Sequence, residues 1–100
     1  MSNDRIKLVV LICEEALENI VLPELLAAGA KGYSICEARG RGIRGVRDAR
    51  WLLSSNVRIE LLCEVVVARG LIKLIEEKYS TNYGLIVYMV DAEVSNPDNF

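Results

Sequence analysis

Asn56–Glu64 reads NVRIELLCE. Val57, Ile59, Leu61 and Cys63 alternate with Arg58, Glu60, Leu62 and Glu64. A period of two with one wholly apolar face predicts a half-buried strand. Directly behind it the period changes. In 65–79, Val67, Leu71, Leu74 and Ile75 recur at helical spacing, with Lys78 at the end and Gly70 weakening the middle. Residues 80–84 form a polar turn. Residues 85–90, LIVYMV, are apolar on both sides and predict a strand again. The second half of the chain is therefore strand, helix, strand.

The first half repeats the order. Residues 6–13, IKLVVLIC, are β-branched and apolar at consecutive positions, the pattern of a central strand buried on both faces. In 14–28, Leu17, Val21, Leu25 and Ala28 share one helical face, with Leu22 and Leu26 beside them. Glu14, Glu15 and Glu18 lie near the helix start, where acids suit the dipole, and Gly29 and Gly32 supply the stop. Pro23 leaves two outcomes open, a helix that begins at Pro23 or one kinked just before it. Residues 33–39 alternate as a second strand. Two β-α-β halves in series, within 100 residues and one domain, predict an α+β ferredoxin-like βαββαβ sandwich with both helices on one face. The other face then lacks a helix although strands one and four are apolar on both sides. The chain is 52% apolar, and a second copy is the expected cover.

Between the halves, 40–55 has no secondary-structure period. Gly40, Gly42 and Gly45 are interleaved with arginines, and the window 39–50 carries a net +4 against −6 for the rest of the chain. A long loop in a compact domain is usually functional. Glycines let the backbone come close to a ligand, consecutive amides form an anion nest, and guanidinium groups match phosphate or bicarbonate oxygens. The expected ligand is a small anion. Arg44 is the first-choice donor, with Arg41 and Arg47 behind it. Arg39 and Arg50 are read equally as solvated flanks.

Several function classes fall away. The chain has no histidine, so imidazole acid–base catalysis is excluded and a metal site is not expected. No nucleophile beside a base is visible. Asp91 and Glu93 are two acids at a strand end without an assigned role, and no catalytic residue or cofactor is predicted. Cys13, Cys36 and Cys63 are odd in number, lack a CxxC pair and read as buried thiols of a reducing cytoplasm. Residues 1–5 show no apolar signal core, and 8–13 are too short to span a membrane.

The glycine-rich stretch and its flanks carry a family resemblance. Gly32-Tyr33-Ser34-Ile35, then Gly40-Arg41-Gly42-Ile43-Arg44-Gly45, resembles the second strand and T-loop base of PII-like signalling proteins. Their carbon-regulatory branch, linked to bicarbonate transport and carboxysomes, is the more similar. The likeness continues through Ser55-Asn56-Val57-Arg58-Ile59-Glu60, Tyr79 to Tyr83 and Asp91-Ala92-Glu93-Val94. It implies a homotrimer with a ligand cleft between neighbours. It implies an adenine nucleotide there (ADP, AMP, ATP or cyclic AMP), in some members with bicarbonate. It also implies a T-loop, 40–55, that orders on the ligand and docks on a partner such as a membrane transporter. The implied ligand set is Gly40, Arg41, Gly42, Arg44, Gly45, Arg47, Ser55, Asn56 and Arg58.

The chain also departs from the family pattern. No tyrosine lies between Tyr33 and Tyr79, so T-loop uridylylation is not expected. The tail, 91–100, has no basic residue, which favours a mono- or diphosphate over ATP. Other readings stay open. Arg58 and Glu60 share a strand face and fit either a ligand role or a pair across subunits. Trp51 fits a partner-docking tip or packing within the trimer. Tyr79 and Tyr83 read as core or interface aromatics. An RNA-binding module on the same sandwich is the alternative function, but it needs aromatics on the central strands and a basic surface. Slow nucleotide hydrolysis is conceivable as a side activity.

Overall fold

Ile6–Glu14 forms the first strand, β1, and its apolar run has a place on both sides. A computed structural model of the chain describes residues 5–39, 56–79 and 84–100. The other elements are α1 (Glu18–Ala27, after a 3-10 turn at Glu15–Leu17), β2 (Ser34–Ala38), β3 (Asn56–Glu64), α2 (Val65–Lys78) and β4 (Ile86–Asp91). The sheet order is β2-β3-β1-β4, with every neighbouring pair antiparallel. This is the ferredoxin-like sandwich expected from the two β-α-β halves.

Register decides which side chains meet. Leu11 lies opposite Ile59 and Val87, and Val9 opposite Leu61 and Met89. Those residues share the helix-covered face. They pack with Val21 and Leu25 of α1 and with Ala68, Leu71 and Ile75 of α2. Ala28, expected in the apolar stripe of α1, is exposed, and Ala30 is buried instead. The cause is the turn between them. Gly29 adopts φ of 119° and Ala30 N–H donates to the Leu25 carbonyl at 3.2 Å, which ends the helix and redirects the chain.

Pro23 lies inside α1, which starts five residues earlier at Glu18. The proline removes the amide that would bond the Asn19 carbonyl. Both residues lie on the exposed side of α1, so that carbonyl faces water. At the far end of α2, Tyr79 is buried and its hydroxyl donates to Glu24, which also pairs with Lys78. Tyr79 is thus a core aromatic that ties α2 to α1.

Neither α1 nor α2 covers the second face of the sheet, where the C-terminal Phe100 lies by Leu8 and Leu62 and Val10 is fully buried. That face presents Leu8, Val10 and Ile12 of β1, Arg58, Glu60 and Leu62 of β3, and Ile86, Tyr88 and Val90 of β4. The three β4 residues are 41%, 38% and 47% exposed. Cys36 is exposed on the same face, contrary to the expectation of three buried thiols; Cys13 and Cys63 are buried. The difference lies in strand position: Cys36 is on the edge strand β2 and points away from the helices.

Candidate functional site

β2 and β3 pair in the register Ala38↔Asn56, Cys36↔Arg58 and Ser34↔Glu60. The segment 40–55 therefore leaves and re-enters the fold at one place, beside Ala38 and Asn56. Gly40, Arg41, Gly42, Arg44, Gly45, Arg47 and Ser55 lie outside the described residues, as do Arg50, Trp51 and Tyr83. Asn56 is buried at the first position of β3, between Ala38 and Glu14. Arg58 is one step further in on the bare face, and Arg39 is exposed at the end of β2.

Arg58 is already engaged within its own chain. Its Nε donates to Glu60 Oε2 at 2.7 Å. The Glu60 hydrogen bond, opposed by partial desolvation and aided by the Tyr88 hydroxyl, raises the guanidinium pKa further. The pair expected either across subunits or with a ligand is thus closed in the protomer. A charge-assisted bond on an otherwise apolar face keeps both groups satisfied.

Next to this pair lies a pocket of about 180 Å³. Its floor is two cross-strand rows, Leu8 with Leu62 and Ser34 with Glu60. Gly32 and Tyr33, where the chain enters β2, and Phe100 complete its lining. Glu60 belongs both to the pocket and to the ion pair, so the pocket touches Arg58 through one carboxylate. Gly32 is not demanded by the fold: it has no positive φ, and a Cβ there meets nothing within 4 Å. The volume is below the ~300 Å³ of typical small-molecule sites. It suits a single ring system with the rest of a ligand outside.

The family resemblance rests in part on Gly32, Tyr33 and Ser34 without assigning them to a site, and sequence reasoning misses Leu8, Leu62 and Phe100. Leu8 and Leu62 look like ordinary strand residues until the register sets them side by side. Phe100 lies at the opposite end of the chain from Leu8, and nothing local marks it. Asp91 pairs with Lys7 rather than with Glu93. Among the described residues, no group of three or more Cys, Asp or Glu is placed to hold a metal ion, and no helix is long and apolar enough to cross a membrane.

Comparison with known proteins agrees with this architecture. The family model described as nitrogen regulatory protein P-II matches residues 6–99. A PII-like signalling protein from Thermus thermophilus is 34% identical, with 95% of this chain and 94% of that chain covered and a TM-score of 0.79. CPII from Thiomonas intermedia, bound to ADP, AMP and acetate, is 22% identical with a TM-score of 0.80 over 95% of this chain and 93% of that one. The same protein bound to ADP and bicarbonate gives 22% identity and a TM-score of 0.79 over the same shares. At that identity the Thiomonas likeness speaks to the fold.

Proposed function

Because this chain belongs to the nitrogen regulatory protein P-II family, we propose that it is a PII-like regulator that binds an adenine nucleotide, with bicarbonate as a second ligand, at clefts between the subunits of a homotrimer. ADP and AMP are the preferred nucleotides, ahead of ATP and cyclic AMP. The observation that carries this reading is the pocket lined by Leu8, Leu62, Tyr33 and Phe100, at the Ser34 end of β2, about 13 Å along the strand from Ala38, where 40–55 departs. Apolar walls with a few polar groups suit a purine, and Gly32 leaves its backbone open to a ligand. The phosphates then extend towards the arginine-rich segment, where Arg44, Arg41 and Arg47 supply donors with Gly40, Gly42 and Gly45. Ser55, Asn56 and Arg58 complete the set, with Arg58 exchanging part of its hold on Glu60 for the anion. ADP with AMP, and ADP with bicarbonate, are the ligands of the Thiomonas protein.

In this reading the protein signals without turnover. Ligand orders the T-loop, and the ordered loop is what a cytoplasmic partner surface, such as that of a bicarbonate transporter, would recognise. The RNA reading finds little support. The central strands β1 and β3 present Leu8, Val10, Ile12, Arg58, Glu60 and Leu62 on the bare face, with no aromatic among them.

Isothermal titration with ADP, AMP and cyclic AMP, with and without bicarbonate, tests the proposal. Micromolar binding, about −8 kcal/mol, is expected for ADP or AMP, and silence with every nucleotide removes the reading. Arg44→Ala is expected to abolish affinity for the phosphates while leaving the melting temperature unchanged.

A further inference from the structure

The chain beyond β4 does not leave the fold. Ala92 N–H donates to the Ile6 carbonyl at 3.1 Å, which continues the pairing with β1 past Asp91. Pro97–Asn99 then makes one 3-10 turn, closed by Asn99 N–H to the Asn96 carbonyl at 3.1 Å and Phe100 N–H to the Pro97 carbonyl at 3.3 Å. Arg5 pins the turn through Nη1 to Asp98 Oδ1 at 2.8 Å. The result is a short strap that runs from β4 and brings half-buried Phe100 into the lining of the pocket beside Ser34 at the start of β2.

We infer that Phe100 is the stacking wall of the base pocket, a ligand-contacting residue carried on this strap; the inference rests on the nucleotide reading above. Three observations carry it. First, space remains with the ring in place: the pocket keeps its 180 Å³ while Phe100 lines it. Phe100 bounds the cavity and leaves it open. Second, Leu8 and Leu62, paired across β1 and β3, line the same pocket, so a planar ring entering the space has aliphatic and aromatic side chains among its neighbours. Third, the pin is weak. Asp98 is 91% exposed and Arg5 45% exposed, and an ion pair so open to water holds the strap only lightly. The wall can lift to admit a ring and settle back on it.

Calorimetric titration of AMP and of ribose 5-phosphate, which lacks the base, tests this on wild type, Phe100→Ala, Phe100→Leu and Phe100→Tyr. Phe100→Ala is expected to weaken AMP binding about 5- to 150-fold, the range set by loss of one base–aromatic stack. Phe100→Leu keeps apolar bulk but no π-face and is expected to weaken it as well, while Phe100→Tyr stays near wild type. Ribose 5-phosphate is expected to bind all four alike. Asp98→Asn leaves the ring intact and loosens only the pin, and a loss of a few fold for AMP alone is expected there. Unchanged or tighter AMP binding in Phe100→Ala, full recovery by leucine, or a parallel loss for ribose 5-phosphate overturns the inference and leaves the nucleotide reading standing. Failure of the wild type to bind AMP or any other adenine nucleotide overturns both.

Discussion

Arg58 and Glu60 show how far a pair of residues can be read before its surroundings are known. Alternation in NVRIELLCE puts both on one face, two apart, and that much is legible. Whether they reach each other or another subunit depends on rotamers and on Tyr88, a residue of β4 that only the register brings near; the structure closes the pair within the chain at 2.7 Å. Cys13 yields a prediction at the same scale. Burial, helped by the charges of Glu18 and Glu14, pushes its thiol up to about 11. The unfolded chain ionises this group near pH 9, so above that pH the unfolded state gains a charge that the folded state refuses. The contribution to stability is complete below pH 9 and is lost as pH rises towards 11. Urea midpoints measured at steps between about pH 8 and 11 are expected to fall, and Cys13→Ala is expected to fall less steeply. Equal slopes for the two proteins would refute the assignment.

At the scale of elements, period and punctuation carry most of the information. β3 has the limits that alternation sets for it, and Gly29 stops α1 where a stop is expected. Pro23 is undecidable from sequence because a proline penalty depends on where the orphaned carbonyl points. Here it points to water, so the helix runs through. Two glycines separate structural from functional demand. Gly29→Ala places a side chain at φ of 119° and is expected to destabilise the fold by about 1–2 kcal/mol in thermal or urea unfolding. Gly32→Ala meets no neighbour and no strained φ, so its stability is expected to stay within about 0.5 kcal/mol of wild type. Its affinity for AMP is expected to drop, because the added methyl joins the pocket lining. A reversed pattern, with Gly32 costly to the fold and Gly29 silent, would refute the distinction.

For the whole molecule, the need for a second apolar cover is legible from β1 and β4, whose residues are apolar on both sides. Which of the loop arginines meets the ligand is not, since 40–55 has no period to constrain it. The pocket is not legible either, because it joins Leu8, Leu62 and Phe100 from three distant stretches. The bare face leads to a mass prediction. Light scattering is expected to give three times the 11.1 kDa of one chain. Val90→Lys puts an ammonium on the apolar face at a residue that is already 47% exposed in the protomer, so folding is expected to persist while the assembly falls to monomers. A wild-type mass of one chain, or a Val90→Lys protein that remains trimeric, would count against this face as the contact between copies.

The hairpin register at Ala38 and Asn56 has a separate consequence. Paired residues on antiparallel strands stand only about 4.5–5.5 Å apart, so whatever runs between them begins and ends at the same doorway. Doubling the length of such an excursion adds only about 0.6 kcal/mol of closure entropy. Descendants of this scaffold are free to lengthen, shorten or rewrite that stretch to suit a new recipient, while the four strands and two helices beneath it stay as they are.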